Sequence, residues 1–211
     1  MGQLGDDRVG GVRMGARGGR RGAGGVGRRR VHTTEGNRRL VGSDPMATRF
    51  SHTARIDTHV ENVFTSYGDE AFWRDRIAAV GSPEDTLDDF STTGDTITVT
   101  VTQHIPDSDI PDLARKVLPG QLVIVRTSTF GDFDGERFTG SARAEAAGGL
   151  GMIDGGAETV HRDGAAHESV SGQVKVSVPL LGGKLEKLVV GHLDRLFEAE
   201  YQHLRRWTAA R

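Results

Sequence analysis

Four polar side chains, His52, Gln103, Arg126 and Ser128, fall by strand alternation in line with inward-facing apolar positions, and His192 lies within the apolar stripe of a C-terminal helix. Groups of these types among apolar neighbours can hydrogen-bond a buried molecule or clamp a charge. A histidine oriented by a carboxylate can also move a proton. An ordinary role stands beside each. His52 and His192 would serve as hydrogen-bonded core histidines, Arg126 would pair with an acid or reach solvent at a strand end, and Gln103 would decorate a rim near Pro106. No catalytic set emerges from spacing alone.

Other chemistries are excluded more firmly. The 211 residues contain no cysteine, which removes thiolate catalysis, disulfides and cysteine-ligated metals. Asp107, Asp109 and Asp112 begin like a calcium loop, but the sixth position is Asp112 where glycine is needed and the twelfth is Leu118 where glutamate is needed. His161 and His167 face each other around Asp163 and Gly164 without a carboxylate partner, a poor metal site. There is no Gly-x-Ser-x-Gly nucleophile motif. The glycines at 22, 24 and 27 match a dinucleotide fingerprint with neither strand before them nor helix after. We therefore expect no metal, no cofactor and no catalytic residue that sequence can name.

The elements that would position these side chains occupy only part of the chain. Residues 1–45 hold 10 arginines against 4 acids and 13 of the 30 glycines, with no aromatic residue, so they carry +6 and leave the rest at −8. Such a segment cannot bury enough apolar surface to offset its ordering entropy and is expected to be disordered. It lacks the continuous apolar core of a secretory signal. Without aromatic residues it makes a poor RNA binder. Period-2 patterning begins directly after Met46, so the favoured reading of 1–45 is an over-extended start site, to be tested by mapping the mature N-terminus.

Residues 46–211 read as one domain. Phe50, His52, Ala54 and Ile56 alternate with polar residues in a first strand. Thr58 and Glu61 suggest a capping box before a short helix carrying Val60, Val63 and Phe64. A second helix capped by Asp69 carries Phe72, Trp73, Ile77 and Val80. Three hairpins follow, 87–92 with 95–105, 122–133 with 136–146, and a strand near 158–162 with 167–179, turning at Gly94, Gly135 and Gly164. Between the first two, residues 106–120 carry three prolines and a helical turn at 112–117, long enough to fold over an opening. Residues 183–209 form one long helix. Its apolar stripe of Leu185, Leu188, Val189, Leu193, Leu196, Phe197, Leu204 and Trp207 opposes a polar face that includes Lys184, Glu186, Lys187 and Asp194. That stripe needs an apolar surface, which the valine-rich inner face of the sheet supplies.

Strand, two short helices, six strands and a long helix, together with Pro179-Leu-Leu-Gly-Gly-Lys-Leu-Glu186 and Glu198, Glu200 and Trp207, resemble an uncharacterised bacterial family within the START-like, or polyketide cyclase/dehydrase and lipid-transport (SRPBCC), superfamily. Ile56-Asp-Thr-His-Val60 and the segment 112–120 share that likeness. It implies an α+β helix-grip fold, an antiparallel sheet of about seven strands curved around the C-terminal helix. It also implies binding of a small, mainly hydrophobic molecule, lipid-like or polyketide-like. A helix laid across a curved sheet leaves an apolar hollow with a few polar groups. Candidate lining residues are Phe50, Trp73, Val99, Val101, Ile124 and Leu196 with His52, Gln103, Arg126, Ser128 and His192. Two alternatives stay open: a cyclase- or hydratase-type enzyme using His52 or Arg126 in the same space, and a noncatalytic, cochaperone-like module with a filled interior and an exposed apolar patch. The acidic body disfavours nucleic acid, and no apolar run reaches the length of a membrane span. A cytoplasmic location is expected, and self-association stays open.

Overall fold

A computed structural model describes residues 47–110, 112–116 and 120–211; the basic segment 1–45 lies outside them. Strand β1 (Thr48–Ile56) is followed by helices α1 (Val60–Tyr67) and α2 (Glu70–Val80). Then come β2 (Thr86–Thr93), β3 (Thr96–Ile105), the short turn α3 (Asp112–Arg115), β4 (Leu122–Gly131), β5 (Arg137–Ala146), β6 (Gly151–Arg162), β7 (Ala165–Val176) and α4 (Gly182–Ala209). Every strand pairs antiparallel in one sheet of order β1-β7-β6-β5-β4-β3-β2. Consecutive hairpins account for that order, with β1 added at the far edge beside β7. Gly94, Gly135 and Gly164 all take positive φ at the turns, as the hairpin signals require.

Local details depart from expectation in three places. The cap of α1 is His59, whose Nδ1 accepts from the Glu61 amide at 3.3 Å, while the Thr58 hydroxyl accepts from the Asn62 side chain. Asp69 does cap α2, through the Ala71 amide. Strand β6 begins seven residues before the predicted 158, because glycines at its inward positions 151 and 155 erase the apolar alternation that marks a strand. Glu186 is 3% exposed rather than on the polar face of α4. Its carboxylate accepts from the Val176 amide at 3.0 Å and the Thr48 hydroxyl at 2.8 Å, so it joins the helix to two strands.

That contact pins one end of α4. The other end is held by the His203 Nε2 to Asp75 contact at 2.8 Å and by Arg205 donating to the Arg55 carbonyl. An aromatic core fills the sheet beneath this second end: Tyr67, Phe72, Trp73, Phe130 and Phe138 pack with Val99, Val101, Tyr201 and Leu204. A smaller cluster of Phe50, Val174 and Leu193 sits nearer the first. Between its anchors the helix spans an inner sheet face built of small residues: Gly140, Ala142, Ala144 and Ala146 on β5, Gly155 and Ala157 on β6. Gly172 on β7 lies beneath the Phe50 ring, where an added Cβ would stand 2.6 Å from Cζ and 2.2 Å from the Asp154 carbonyl oxygen. Only glycine permits that approach.

Candidate functional site

Small residues on the floor and a helix held at its ends leave a cavity of about 710 Å³ between α4 and the sheet. Ile124, Ile153, Val174, Leu193 and Leu196 supply apolar walls. Pro106 and Ile110, from the connection between β3 and β4, line one side, and Ile110 is 4% exposed.

Of the candidate residues, Phe50, Trp73, Gln103, Ile124, Arg126, Ser128, His192 and Leu196 line the cavity. His52, Val99 and Val101 do not. All three face the predicted side of the sheet, but other elements cover them. Val99 and Val101 lie in the aromatic core with α2, and the His52 ring stacks on Tyr201 at 5.6 Å and contacts Phe197 at 5.5 Å. The His52 Nδ1 is 3.9 Å from Asp194, an acid exposed to solvent. Alternation along a strand fixes the face and says nothing of what packs on it.

The polar end of the cavity is made mostly by residues whose role spacing did not indicate. Arg76 of α2 and Arg126 of β4 donate through their NH2 groups to the same oxygen of Glu200 on α4, at 2.6 and 3.0 Å. The Arg76 guanidinium also lies 4.5 Å above the Trp73 ring. Beside them Glu168 of β7, 5% exposed, accepts from Tyr201 at 2.6 Å, Thr159 at 2.8 Å and Tyr67 at 3.2 Å. Burial pushes the Glu200 carboxyl up, but the guanidiniums of Arg126 and Arg76 outweigh it and hold Glu200 below the ordinary carboxylate range. Burial lowers Arg76 against the pull of Glu200. For Glu168 burial prevails over its three hydroxyl donors and raises the carboxyl. The Tyr67 and Tyr201 phenols are raised by burial and by Glu168. The missed signal was available: acids at 168 and 200 sit at otherwise apolar positions of a strand and a helix, and both need buried partners.

Glu168 makes stability pH-dependent. A carboxyl with a raised native pKa keeps its proton where the unfolded chain has lost it, so its contribution is full below the unfolded value of about 4.5 and is lost as pH rises through the native value. The stability advantage of the natural chain over Glu168→Gln is expected to shrink as pH rises from 4.5 toward 8, followed by urea midpoints. A difference independent of pH would contradict this account.

At another part of the lining Asp85 accepts from the His104 amide at 2.7 Å and the Ser82 hydroxyl at 2.6 Å, with the His104 Nδ1 4.0 Å away. Among the described residues no cluster of three or more histidines and acids is arranged to hold a metal. His161 and His167 lie in successive registers of β6 and β7, opposite Ala166 and Val160, and the His161 ring lies 4.0 Å from that of His59.

A curved seven-stranded antiparallel sheet gripping a C-terminal helix over an internal hollow defines a helix-grip protein. Residues 51–208 match the family described as proteins of unknown function, DUF2505, and the chain belongs to it. The uncharacterized protein Rv0481c of Mycobacterium tuberculosis is 25% identical over 175 residues, 77% of this chain and 97% of its own. TTHA0849 from Thermus thermophilus has a similar fold, with TM-score 0.52 at 13% identity over 77% of this chain and 98% of that one. A conserved protein from Geobacillus kaustophilus gives TM-score 0.50 at 10% identity over 77% and 96%. Among the described residues no helix is long and apolar enough to cross a membrane.

Proposed function

We propose that this protein binds a small, mainly apolar molecule, lipid-like or polyketide-like, between α4 and the sheet, as a member of the START-like superfamily. The observation that carries the reading is the 710 Å³ hollow with aliphatic walls and a buried cluster of Arg76, Arg126 and Glu200. Its size lies in the range of small-molecule sites. Among the described residues the exposed large apolar side chains are only Val125 on β4, Leu188 on α4 and Leu180 in the turn before α4. That, with a hollow interior, disfavours the partner-binding alternative. Native mass spectrometry of the full chain, followed by organic extraction, tests the proposal: a retained apolar molecule, or saturable uptake of an added one, is expected. A chain that stays empty with every apolar probe would refute it.

An enzyme of the cyclase or hydratase type is favoured by one observation, the histidine facing a buried acid in the lining. Its residues would be His104 and Asp85, since His52 is covered. Conversion of a bound molecule that His104→Gln abolishes while binding persists would establish that reading.

A further inference from the structure

The folded part of this chain is acidic, yet two largely buried arginines, Arg76 and Arg126, line the cavity beside the acids Asp85, Glu168 and Glu200, while Lys175, Lys187 and Arg195 touch it from exposed positions. The acids are committed locally. Asp85 takes the His104 amide and the amide and hydroxyl of Ser82. Glu168 takes three hydroxyls and no guanidinium. One oxygen of Glu200 is left to receive both Arg76 and Arg126. Each guanidinium presents a planar fork of five N–H donors, and its bond to Glu200 uses one nitrogen. The two guanidiniums share a single oxygen, with their side chains only 10% and 15% exposed, so the pair carries one more positive charge than the carboxylate that joins it.

Strand order places this pair relative to the rest of the hollow. Arg126 lies between Ile124 and Ser128 on the inward row of β4, and Glu200 lies one turn before Leu204 on α4. The floor of Ala142, Ala144 and Gly155 adjoins Arg126 through the registers β4 to β5 and β5 to β6. Toward the start of α4 the lining turns to Leu122, Leu150, Val178 and Leu188. One end of an amphiphile would meet fixed cations and its body would meet carbon.

We propose that the molecule held in this cavity bears one carboxylate-class anionic group, seated on the guanidiniums of Arg76 and Arg126, with its apolar body over the small-residue floor. This rests on the binding reading above and adds the charge of the guest. Arginine suits the role because its fork meets both oxygens of a carboxylate at once, which a lysine cannot do. The planar seat on Trp73 fixes Arg76 before the guest arrives.

Two pairs of probes of different shape test this on the full chain at pH 7.4, below micelle formation: hexadecanoate against hexadecanol, and 1-pyrenebutanoate against 1-pyrenebutanol. In at least one pair the carboxylate is expected to bind at least tenfold more tightly. Arg126→Gln is expected to bring that ratio within about twofold of unity while the alcohol's affinity stays, and Arg126→Lys to leave an intermediate ratio. As a readout free of mutation, the carboxyl carbon of bound [1-¹³C]hexadecanoate should titrate at lower pH than that of the free acid. Alcohols bound as tightly as carboxylates would overturn the anion assignment and leave the cavity reading standing. Failure of all four probes to bind would overturn both. A bound carboxyl titrating like the free acid would also defeat the assignment.

Discussion

Replacing Glu200 by alanine is expected to cost about 3 kcal/mol of folding stability, the low end of the ~3–5 kcal/mol seen when one partner of a buried ion pair is removed. The carboxylate is the common acceptor of Arg76 and Arg126, so its loss strands two guanidiniums at once. The low end applies because these side chains face a hollow that water can enter, which softens the penalty of an unpaired charge. Guanidinium chloride unfolding at pH 7 reads the effect. A loss below 1 kcal/mol would mean that cavity water solvates the arginines as well as Glu200 does.

The companion experiment separates stability from purpose. Exchanging all three groups, Arg76→Met, Arg126→Leu and Glu200→Leu, removes the desolvation cost together with the attraction. Such exchanges are often neutral or stabilising. Stability is therefore expected to return to within about 1 kcal/mol of the natural chain. A chain that folds as well without its charges has no structural need of them. Their presence then speaks for something they hold, and the triple variant should bind neutral probes and lose its preference for carboxylates. Because the three residues share atoms, the single and triple effects will not add.

Much of this architecture was readable beforehand, and the reasons are local. Turn glycines at 94, 135 and 164 announced the hairpins because positive φ is a demand on one residue, visible without the rest of the molecule. The long helix follows from its stripe, and the inward faces of β1, β3, β4 and β7 from period-2 alternation. The misses are of another kind. Whether Val99 faces a void or an aromatic ring depends on where α2 lands, and no residue within β3 encodes that. His52 lies on the first strand beneath Phe197 and Tyr201, which arrive from the far end of the sequence and which no residue of β1 encodes. The Arg76, Arg126 and Glu200 cluster joins three elements separated by 124 and 74 positions. Alternation flagged Arg126 alone, and the partners that give it meaning came only from the fold. The row of small residues on β5 was legible yet unused: alanine and glycine alternating inward on a strand mark a place where the sheet yields volume.

That row supplies the second large expectation. Ala142 stands opposite Ser128 on one side and Gly155 on the other and lines the hollow. Ala142→Phe would put a ring into the hollow, and uptake of an apolar probe is expected to fall at least about 100-fold, roughly the loss of 2.7 kcal/mol of binding free energy. Stability reports on the same question through its sign. A ring forced into a packed core costs about 1–3 kcal/mol, whereas a ring entering unfilled apolar space buries carbon without displacing any, so the variant should unfold at the same or a higher denaturant concentration. Ala54→Phe provides the contrast, because Ala54 is 8% exposed within the aromatic core and its neighbours leave no room. It should lose at least about 1 kcal/mol by overpacking. If both phenylalanines destabilise alike, the floor beneath α4 is already occupied by protein and no guest can lie there. If only Ala54→Phe does so while Ala142→Phe stays stable and stops binding, the helix is spanning a space kept open by the small side chains beneath it.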